Sequence, residues 1–382
     1  MHRLLVMKRL SNTKALRYAV VGQGYISQIA ILPAFEHARN SKLVALVSGD
    51  LKKLKTLGKK YGVENLYTYD LYDDCLNSGK IDAVFIALPN HLHREYAVRA
   101  ANAGIHVLCE KPMAVTSEDC QAIIDACQEN KVKLMIAYRL HFEETNLKAV
   151  DLVQSGRIGE PRYFSSAFSL MVKDKNIRTL PHSQGGGPTY DIGIYCINAA
   201  RMIFGEEPTE VMAISASSNK KAFENIEETM AVTLKFPGEK LASIVYSYGA
   251  ISTGSYRVVG TRGEISVENA FEFLGDKKQV VKVQEKSVEK TFKSRDQFAP
   301  ELLYFSEKVL NNDPIEPSGA EGLADVQIIE ATLESAKTRR PVTLSDMEEK
   351  KIRPGLKQEI KQPKARTVKL VNAEQPSKKE AA

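Results

Sequence analysis

Arg17-Tyr-Ala-Val-Val-Gly-Gln-Gly-Tyr-Ile-Ser27 is the stretch that decides the fold of the first part of the chain. Its apolar first half is typical of a buried parallel strand, and the glycines follow where a helix would begin. Gly22 permits a tight turn, and Gly24 lets the backbone approach a pyrophosphate held at the helix N-terminus. Ser27 stands in place of the third glycine of the usual pattern. The stretch predicts the strand-turn-helix of a dinucleotide site, against the alternative of a plain turn without a ligand.

Strands and helices alternate from this stretch to about residue 140. Short apolar runs typical of strands are separated by helical patterns, and the runs lie at residues 43–47, 66–67, 81–88, 106–109 and 133–137. Strict alternation is typical of a doubly wound parallel sheet in an α/β domain. We therefore predict a Rossmann domain over residues 17–140, preceded by an N-terminal extension of residues 1–16.

The pattern changes after Gly159, where short turns replace the helical connections. Strand patterns separated by such turns lie at residues 163–171, 210–217, 229–236, 241–247 and 256–259. Hairpin connections indicate an open-faced, largely antiparallel β-sheet with helices on one side. We predict an α+β domain over residues 141–342 for substrate binding and oligomerisation, followed by a basic, disordered tail over residues 343–382.

Composition and charge exclude several classes of protein. The net charge of the 382-residue chain is +6, but the segment from Asp346 onward contains ten lysines and arginines against six acidic residues. No aromatic residues are interleaved there for base stacking, so we expect no nucleic-acid partner. No apolar run approaches the roughly 20 residues that span a bilayer, and no signal-peptide pattern opens the chain, which predicts a cytoplasmic protein without membrane contact. The cysteine spacing predicts reduced core residues and no metal site, at Cys75, Cys109, Cys120, Cys127 and Cys196.

The end of the second strand bears on the choice between NADP and NAD. An acidic residue for the ribose 2'-hydroxyl is expected there, but Ser48 and Gly49 occupy the place. A serine hydroxyl with a nearby ammonium group, such as that of Lys53, suits a 2'-phosphate, so NADP is favoured. NAD stays open, because Asp50 could turn inward and the lysines could form only the solvated face of a helix.

Further candidates follow the ends of later strands, at the edge where ligands bind in open α/β sheets. Leu88-Pro89-Asn90 is expected to form a loop near the nicotinamide ribose, and His93 is a weaker candidate in the next helix. Glu110 and Lys111 end the following strand, where charged residues are often only solvent caps. Asp191 and Tyr195 lie four residues apart and share one helix face, although such a pair is more often a capping aspartate and a packing tyrosine.

Three motifs together resemble the glucose-fructose oxidoreductase/inositol dehydrogenase/MocA (Gfo/Idh/MocA) family: Glu110-Lys-Pro112, Tyr138-Arg-Leu-His141, and Gly185-Gly-Gly-Pro-Thr-Tyr-Asp-Ile-Gly-Ile-Tyr195. The likeness extends from about Arg17 to Val342. Within the family it is strongest to glucose-fructose oxidoreductase, because Tyr195 stands where most members have histidine and because Ser48 and Lys53 are similar to its NADP-holding segment.

The resemblance implies an interdomain cleft with Lys111, Asp191 and Tyr195 around the reacting carbon, and a Lys111–Pro112 bond that is often cis. Tyr195 would take a proton from the C1 hydroxyl of a cyclic aldose as hydride leaves for the nicotinamide, forming a lactone. Because a free phenol is a poor base at neutral pH, Lys111 would favour the phenolate. Asp191 would hold a substrate hydroxyl or orient the pair.

The resemblance also implies two sets of contacts. The substrate is expected to contact Lys111, Arg139, His141, Arg178, Asp191 and Tyr195. The cofactor is expected to contact Gly22, Gly24, Tyr25, Ile26, Ser48, Lys53, Leu88, Pro89, Asn90, His93, Glu110, Lys111 and Arg139.

Several alternatives remain open at this point. A second sugar could re-oxidise a tightly held cofactor, or a simple dehydrogenase or reductase could release its cofactor after each turnover. A non-catalytic sugar- or dinucleotide-sensing protein would be favoured by a missing Lys111 or Tyr195, and both are present. The stretch 176–184 lacks the tryptophan of the family pattern, which leaves the substrate geometry open. Relatives bury the open sheet against another subunit, so a homodimer or homotetramer is expected.

Overall fold

The first sheet is parallel and doubly wound, as predicted. The computed structural model describes residues 15–344, 359–364 and 368–377. The sheet is built from β1 (Leu16–Val21), β2 (Ser41–Val47), β3 (Asn65–Tyr67), β4 (Ala83–Ile86), β5 (His106–Glu110) and β6 (Leu134–Ala137). All pairs are parallel, in the order β3-β2-β1-β4-β5-β6. The strand order reverses between β1 and β4, so their carboxyl ends open the crevice where this fold binds ligands.

Helices cover both faces of this sheet. They are α1 (Leu32–Ala34), α2 (Leu51–Tyr61), α3 (Tyr72–Leu76), α4 (His93–Asn102) and α5 (Ser117–Glu129). The helix predicted after β1 starts at Tyr25, but Ser27–Ile31 form a π-helical turn before α1. The Asp50 carboxylate caps α2, and Gly62 ends that helix in the left-handed conformation.

The second sheet has nine strands and is mostly antiparallel, as predicted. Its strands are β7 (Pro161–Ser169), β8 (Glu210–Ala216), β9 (Thr229–Phe236), β10 (Lys240–Ser247), β11 (Thr253–Gly260), β12 (Gly263–Glu268), β13 (Lys277–Val283), β14 (Lys286–Phe292) and β15 (Val342–Thr343). Among the described strands of this second sheet, only β7 and β10 pair in parallel. The pattern did not predict β12 to β14, and six of the seven residues of β14 are exposed, so that strand has no apolar alternation to recognise.

Four helices complete the fold: α6 (Glu144–Gln154), α7 (Ile194–Phe204), α8 (Ala299–Asn311) and α9 (Gly319–Thr338). A π-helical turn, Thr189–Gly193, leads into α7. Helix α9 packs against both β8 and α5, so it joins the two domains. Helix α8 packs on the first sheet, where Leu302 and Phe305 share a buried cluster with Val20. The chain therefore returns to the Rossmann domain after β14, before β15 adds the last strand of the second sheet.

The tail residues that the structure describes contact the rest of the fold. Ile360 is buried, and the backbone amide of Asp296 donates a hydrogen bond to the carbonyl of Pro363 at 3.0 Å. Residues 368–377 contact both domains. These contacts are made by backbone atoms and isolated side chains. They therefore leave no periodic apolar pattern in the sequence from which they could be predicted. The rest of the tail and most of the N-terminal extension lie outside the described residues.

The cysteines are buried and form no disulfide bond, and all five belong to the described residues. Burial raises the pKa of the Cys75 thiol to about 12, which disfavours the reactive thiolate. Within the described residues, no helix has the length and apolar character needed to cross a membrane.

Candidate active site

A cleft of about 550 Å³ lies between the carboxyl edge of the first sheet and the second domain. It brings together most of the predicted site residues. Those that line it are Gly22, Gly24, Tyr25, Ile26, Ser48, Lys53, Leu88, Pro89, Asn90, Glu110, Lys111, Arg139, Arg178, Asp191 and Tyr195. Their individual roles stay predictions.

The glycine turn at the end of β1 is open on the side facing the cleft. Gly22 has φ +93°, and a Cβ built there would lie 2.4 Å from the carbonyl oxygen of Ala87, so only glycine fits. A Cβ built on Gly24 would meet no atom of the described residues within 4 Å. Ser27 is buried, and its hydroxyl donates a hydrogen bond of 2.7 Å to the carbonyl of Gly22. The serine therefore braces the turn, and the backbone around Gly24 has room for a pyrophosphate.

The end of β2 presents a hydroxyl and an ammonium group to the cleft. Ser48 and Lys53 line it, whereas Asp50 is not among the lining residues. One carboxylate oxygen of Asp50 accepts the backbone amides of Lys52 and Lys53, at 2.9 and 3.0 Å. The other accepts the side-chain amide of Asn372 at 2.9 Å. Asp50 is thus occupied as a helix cap, which argues against the alternative in which it turns inward to a ribose.

Lys111 lies at the end of β5 and reaches across the cleft to the second domain. Its ammonium donates a hydrogen bond to the backbone carbonyl of Asp191 at 2.8 Å and lies 3.4 Å from the Asp191 carboxylate. The Lys111–Pro112 bond is cis. The lysine therefore connects the first sheet to the turn that precedes α7 and is not a solvent cap.

The Asp191 carboxylate has three partners from three segments. Arg178 donates to it at 2.5 Å, Tyr248 donates at 2.9 Å, and Lys111 faces its other oxygen. Burial alone would raise the pKa of Asp191, but the Arg178 and Lys111 charges and the hydrogen bonds from Arg178 and Tyr248 outweigh it. The pKa is held well below its usual range. Asp191 is therefore a fixed negative charge that orients two cations.

Two cations lie close to the Tyr195 ring. The Lys111 ammonium is 4.5 Å from the ring centre, and the Arg139 guanidinium carbon is 4.7 Å from it. Arg139 is itself fixed, because it donates to the side chain of Gln297 at 2.7 Å and to the carbonyl of Phe271. Two positive charges thus lie close to the Tyr195 ring in the cleft.

Glu110 introduces a titratable carboxyl beside these cations. Burial raises its pKa to about 7, although the charges of Lys111 and Arg139 oppose the shift. One of its oxygens is buried and has no hydrogen-bond partner among the described residues. A neutral carboxyl is therefore present at this edge over the lower part of the physiological pH range.

Two of the predicted site residues, His93 and His141, are not among the residues that line the cleft. His93 is fully buried, and its two ring nitrogens each lie 2.9 Å from a backbone carbonyl, that of Pro112 and that of Leu88. It braces the turns after β4 and β5 and does not line the cleft. His141 is also fully buried, with Nε2 2.7 Å from the Asn198 side chain, and it does not line the cleft. Each ring is held inward by contacts with other segments of its own domain, which the local sequence pattern does not reveal.

Sequence reasoning missed Tyr248 and the tail residues Gln375, Pro376 and Ser377, all of which line the cleft. Tyr248 directly follows β10, and its hydroxyl reaches Asp191 across 57 residues of sequence. A polar aromatic residue at a strand end was the available signal, but its partner depends on the pairing of the second sheet.

Two family models match the chain. The oxidoreductase family with an NAD-binding Rossmann fold, GFO_IDH_MocA, matches residues 16–138, and its C-terminal alpha/beta domain matches residues 150–344. These matches confirm the family that the three motifs indicated and the prediction of an NAD(P)-dependent oxidoreductase.

Individual relatives cover most of this chain. The D-xylose 1-dehydrogenase (NADP+) of Haloarcula marismortui is 32% identical over 334 residues, which are 86% of this chain and 93% of that protein. The D-xylose 1-dehydrogenase (NADP+) 2 of Haloferax volcanii is 28% identical, over 86% of this chain and 99% of that protein. The crystal structure of aldose-aldose oxidoreductase from Caulobacter crescentus, complexed with glycerol, matches with a TM-score of 0.83 and 36% identity, over 87% of this chain and all of that chain. The chain therefore belongs to the Gfo/Idh/MocA family of oxidoreductases.

Proposed function

We propose that this protein is an NADP-dependent sugar oxidoreductase that oxidises C1 of a cyclic aldose to a lactone. The observation on which the proposal rests is the placement of Tyr195 against Lys111, with Asp191 fixing the lysine, at one end of the same cleft that contains the glycine turn. The names of the relatives agree with this substrate class, since they specify D-xylose and aldoses.

The residues at the other end of the cleft fit NADP. The turn at Gly24 is open enough for the pyrophosphate, and Ser48 with Lys53 offers a hydroxyl and a cation to a 2'-phosphate. Asn90 and Pro89 line the cleft next to Lys111, where the nicotinamide ribose would lie. When bound, the nicotinamide supplies the acceptor for a hydride.

A residue of this chain would accept the proton that the sugar hydroxyl loses. As the C1 hydrogen leaves with its electron pair, the C1 hydroxyl proton passes to the oxygen of Tyr195, and a C1 carbonyl forms. The Lys111 ammonium and the Arg139 guanidinium carbon lie 4.5 and 4.7 Å from the centre of the Tyr195 ring, so two positive charges stand close to the group that would accept the proton. Asp191 keeps Lys111 in place, and Arg178 presents its remaining donors to the sugar.

The exposed face of the second sheet supports a homo-oligomer. Ile214, Ala231, Val245 and Ala167 are paired across four adjacent strands and form one apolar row on that face. Ile214 is 65% exposed and Val245 is 43% exposed. A row of this kind is typical of a surface that another subunit covers. A cytoplasmic site of action is proposed as well, in keeping with five buried thiols.

The test is a substrate panel followed at 340 nm with NADP and with NAD. Aldoses with a free C1 hydroxyl should reduce NADP and yield the lactone, whereas their methyl glycosides, polyols and ketoses should not. Lys111→Ala should lower the aldose activity more than tenfold, or about 1.4 kcal/mol of barrier. Oxidation of a methyl glycoside, or a Lys111→Ala variant within tenfold of the wild type, would contradict the proposal. Absorbance at 340 nm on adding aldose without NADP would favour a cofactor retained between turnovers over one released each turn.

A further inference from the structure

We propose that residues 368–377 form a strap that closes the dinucleotide cleft and slows release of the bound cofactor. This inference rests on the dinucleotide site of the proposed function. The strap is a segment of the tail that follows the second domain, and it contacts the first domain and then the second within seven residues.

The first anchor of the strap is on the glycine turn. The backbone amide of Val371 donates to the side chain of Gln28 at 2.8 Å, and the amide of that side chain donates back to the carbonyl of Val371 at 2.9 Å. Gln28 is buried, and it also donates to the carbonyl of Gln23 at 3.0 Å, inside the turn. The strap is therefore fixed to the loop that would hold the pyrophosphate.

The second anchor is on the adenosine side of the cleft. Asn372 donates to the Asp50 carboxylate at 2.9 Å, two residues from Ser48 in sequence. This hydrogen bond is the first of the contacts that lower the pKa of Asp50, together with those from the α2 backbone. A hydrogen bond to an ionised carboxylate is stronger than one between neutral groups, so Asn372 is a defined contact point.

The third anchor is on the second domain. The backbone amide of Lys173 donates to the carbonyl of Pro376 at 3.0 Å, and Ser377 forms an antiparallel bridge with Val172. Pro376 is buried. Pro376 and Ser377 of this anchor, together with the adjacent Gln375, line the same cleft as Gly24 and Lys53. A dinucleotide bound at the glycine turn would lie under this segment, and its release would require at least one anchor to open.

The test measures the release rates of NADPH and of NADH from the full-length protein. Release is followed by the stopped-flow fluorescence of the reduced nicotinamide, with excess oxidised, non-fluorescent cofactor as the chase. Asn372→Asp places a second carboxylate against Asp50 and should open the anchor, with at least tenfold faster release. Lys369→Gln is the matched control, since it changes the net charge by the same amount at an exposed strap residue; its release rates should equal the wild type. Opening the strap should speed the release of both NADPH and NADH. A purely electrostatic effect on the 2'-phosphate would instead change the release of NADPH alone.

A double variant supplies a rescue. Asp50→Asn combined with Asn372→Asp restores an amide-carboxylate pair with the donor and acceptor exchanged, and asparagine still caps a helix. Slow release should return in this protein. Wild-type release rates in Asn372→Asp, or acceleration of NADPH release alone, would overturn the strap. A wild-type protein that binds NADPH but oxidises no aldose would contradict the proposed function and leave the comparison of release rates valid.

Discussion

The ammonium of Lys111 lies 4.5 Å from the centre of the Tyr195 ring. It is held there by a 2.8 Å hydrogen bond to the backbone carbonyl of Asp191, on the turn that leads into the helix of the tyrosine. The cation and the phenol are therefore positioned by one short segment, although they belong to different domains. In the proposed mechanism, Tyr195 accepts the proton and Lys111 supplies the nearby positive charge.

Removing the Tyr195 hydroxyl tests that division of roles. In Tyr195→Phe the ring still packs against Lys111 and Arg139, so the cleft keeps its shape while its proposed proton acceptor is lost. We expect kcat for aldose oxidation to fall about 10²- to 10⁴-fold, the usual contribution of a general base. The Kd for NADP should change little. Steady-state kinetics and cofactor titration measure the two quantities separately.

Tyr163→Phe is the matched control, because Tyr163 is exposed on the second sheet and does not line the cleft. It should behave as the wild type in both assays. If Tyr195→Phe retains the kcat of the wild type, another group accepts the proton.

Cofactor choice depends on Lys53. Lys53 lines the cleft beside Ser48, whereas Lys55 is exposed on the same helix and does not. Lys53→Gln removes a charge-assisted hydrogen bond to a 2'-phosphate, worth about 1.5–3 kcal/mol. The Kd for NADP should rise about 10- to 100-fold, while the Kd for NAD stays unchanged.

Lys55→Gln makes the same change in net charge outside the cleft and should leave both constants unchanged. Isothermal titration with the two cofactors separates these outcomes. If both variants raise the Kd for NADP equally, the lysine-rich helix acts only through its total positive charge and Lys53 makes no specific contact.

Local signals explain why much of this site could be predicted from sequence. The glycine turn requires residues without a side chain at fixed places after a strand, and Gly22 would place a Cβ 2.4 Å from a neighbouring carbonyl. Lys111 and Asp191 each lie at the end or start of a recognisable element. Such positions are determined by a few adjacent residues, so the pattern alone identifies them.

The site contacts that could not be predicted depend on packing between distant segments of the chain. His93 resembled a cofactor ligand in sequence, yet both its nitrogens face carbonyls at the ends of two neighbouring strands. Tyr248 reaches Asp191 only because the fold brings the end of β10 close to the turn that precedes α7. The strap uses backbone hydrogen bonds and Asn372, and neither produces an amphipathic pattern. No local rule gives these contacts, since each requires knowing which segments meet.

The oligomer is tested by placing a charge in the apolar row of the second sheet. Val245 pairs with Ala231 on one side and Ala167 on the other, and it is 43% exposed. In Val245→Glu, a carboxylate buried against a second subunit would be strongly unfavourable. Light scattering should show the wild type as a dimer or tetramer and the variant as a smaller species. Ser287→Glu, on the exposed edge strand β14, should not change the mass; a monomeric wild type would contradict the proposal.

The titration of the Glu110 carboxyl should appear in the pH dependence of the free energy of unfolding. Its pKa is raised to about 7 in the folded protein, mainly by burial, from an ordinary value near 4.5. Below about pH 4.5 the carboxyl is protonated in both states, and the contribution to stability is complete. As the pH rises toward 7, the unfolded chain loses this proton while the folded chain keeps it, so the free energy of unfolding falls. The loss is at most about 3 kcal/mol, and less where water reaches the carboxyl from the cleft.

Glu110→Gln removes this titration while keeping the shape of the side chain. Urea unfolding of the cofactor-free protein at pH 5, 6, 7 and 8 should give a shallower decline for the variant and a higher free energy of unfolding than the wild type at pH 8. Glu64→Gln, at an exposed position away from the cleft, should follow the wild-type curve. Parallel curves for Glu110→Gln and the wild type would show that the Glu110 carboxyl is ionised across this range, because the neighbouring Lys111 and Arg139 charges would then outweigh its burial.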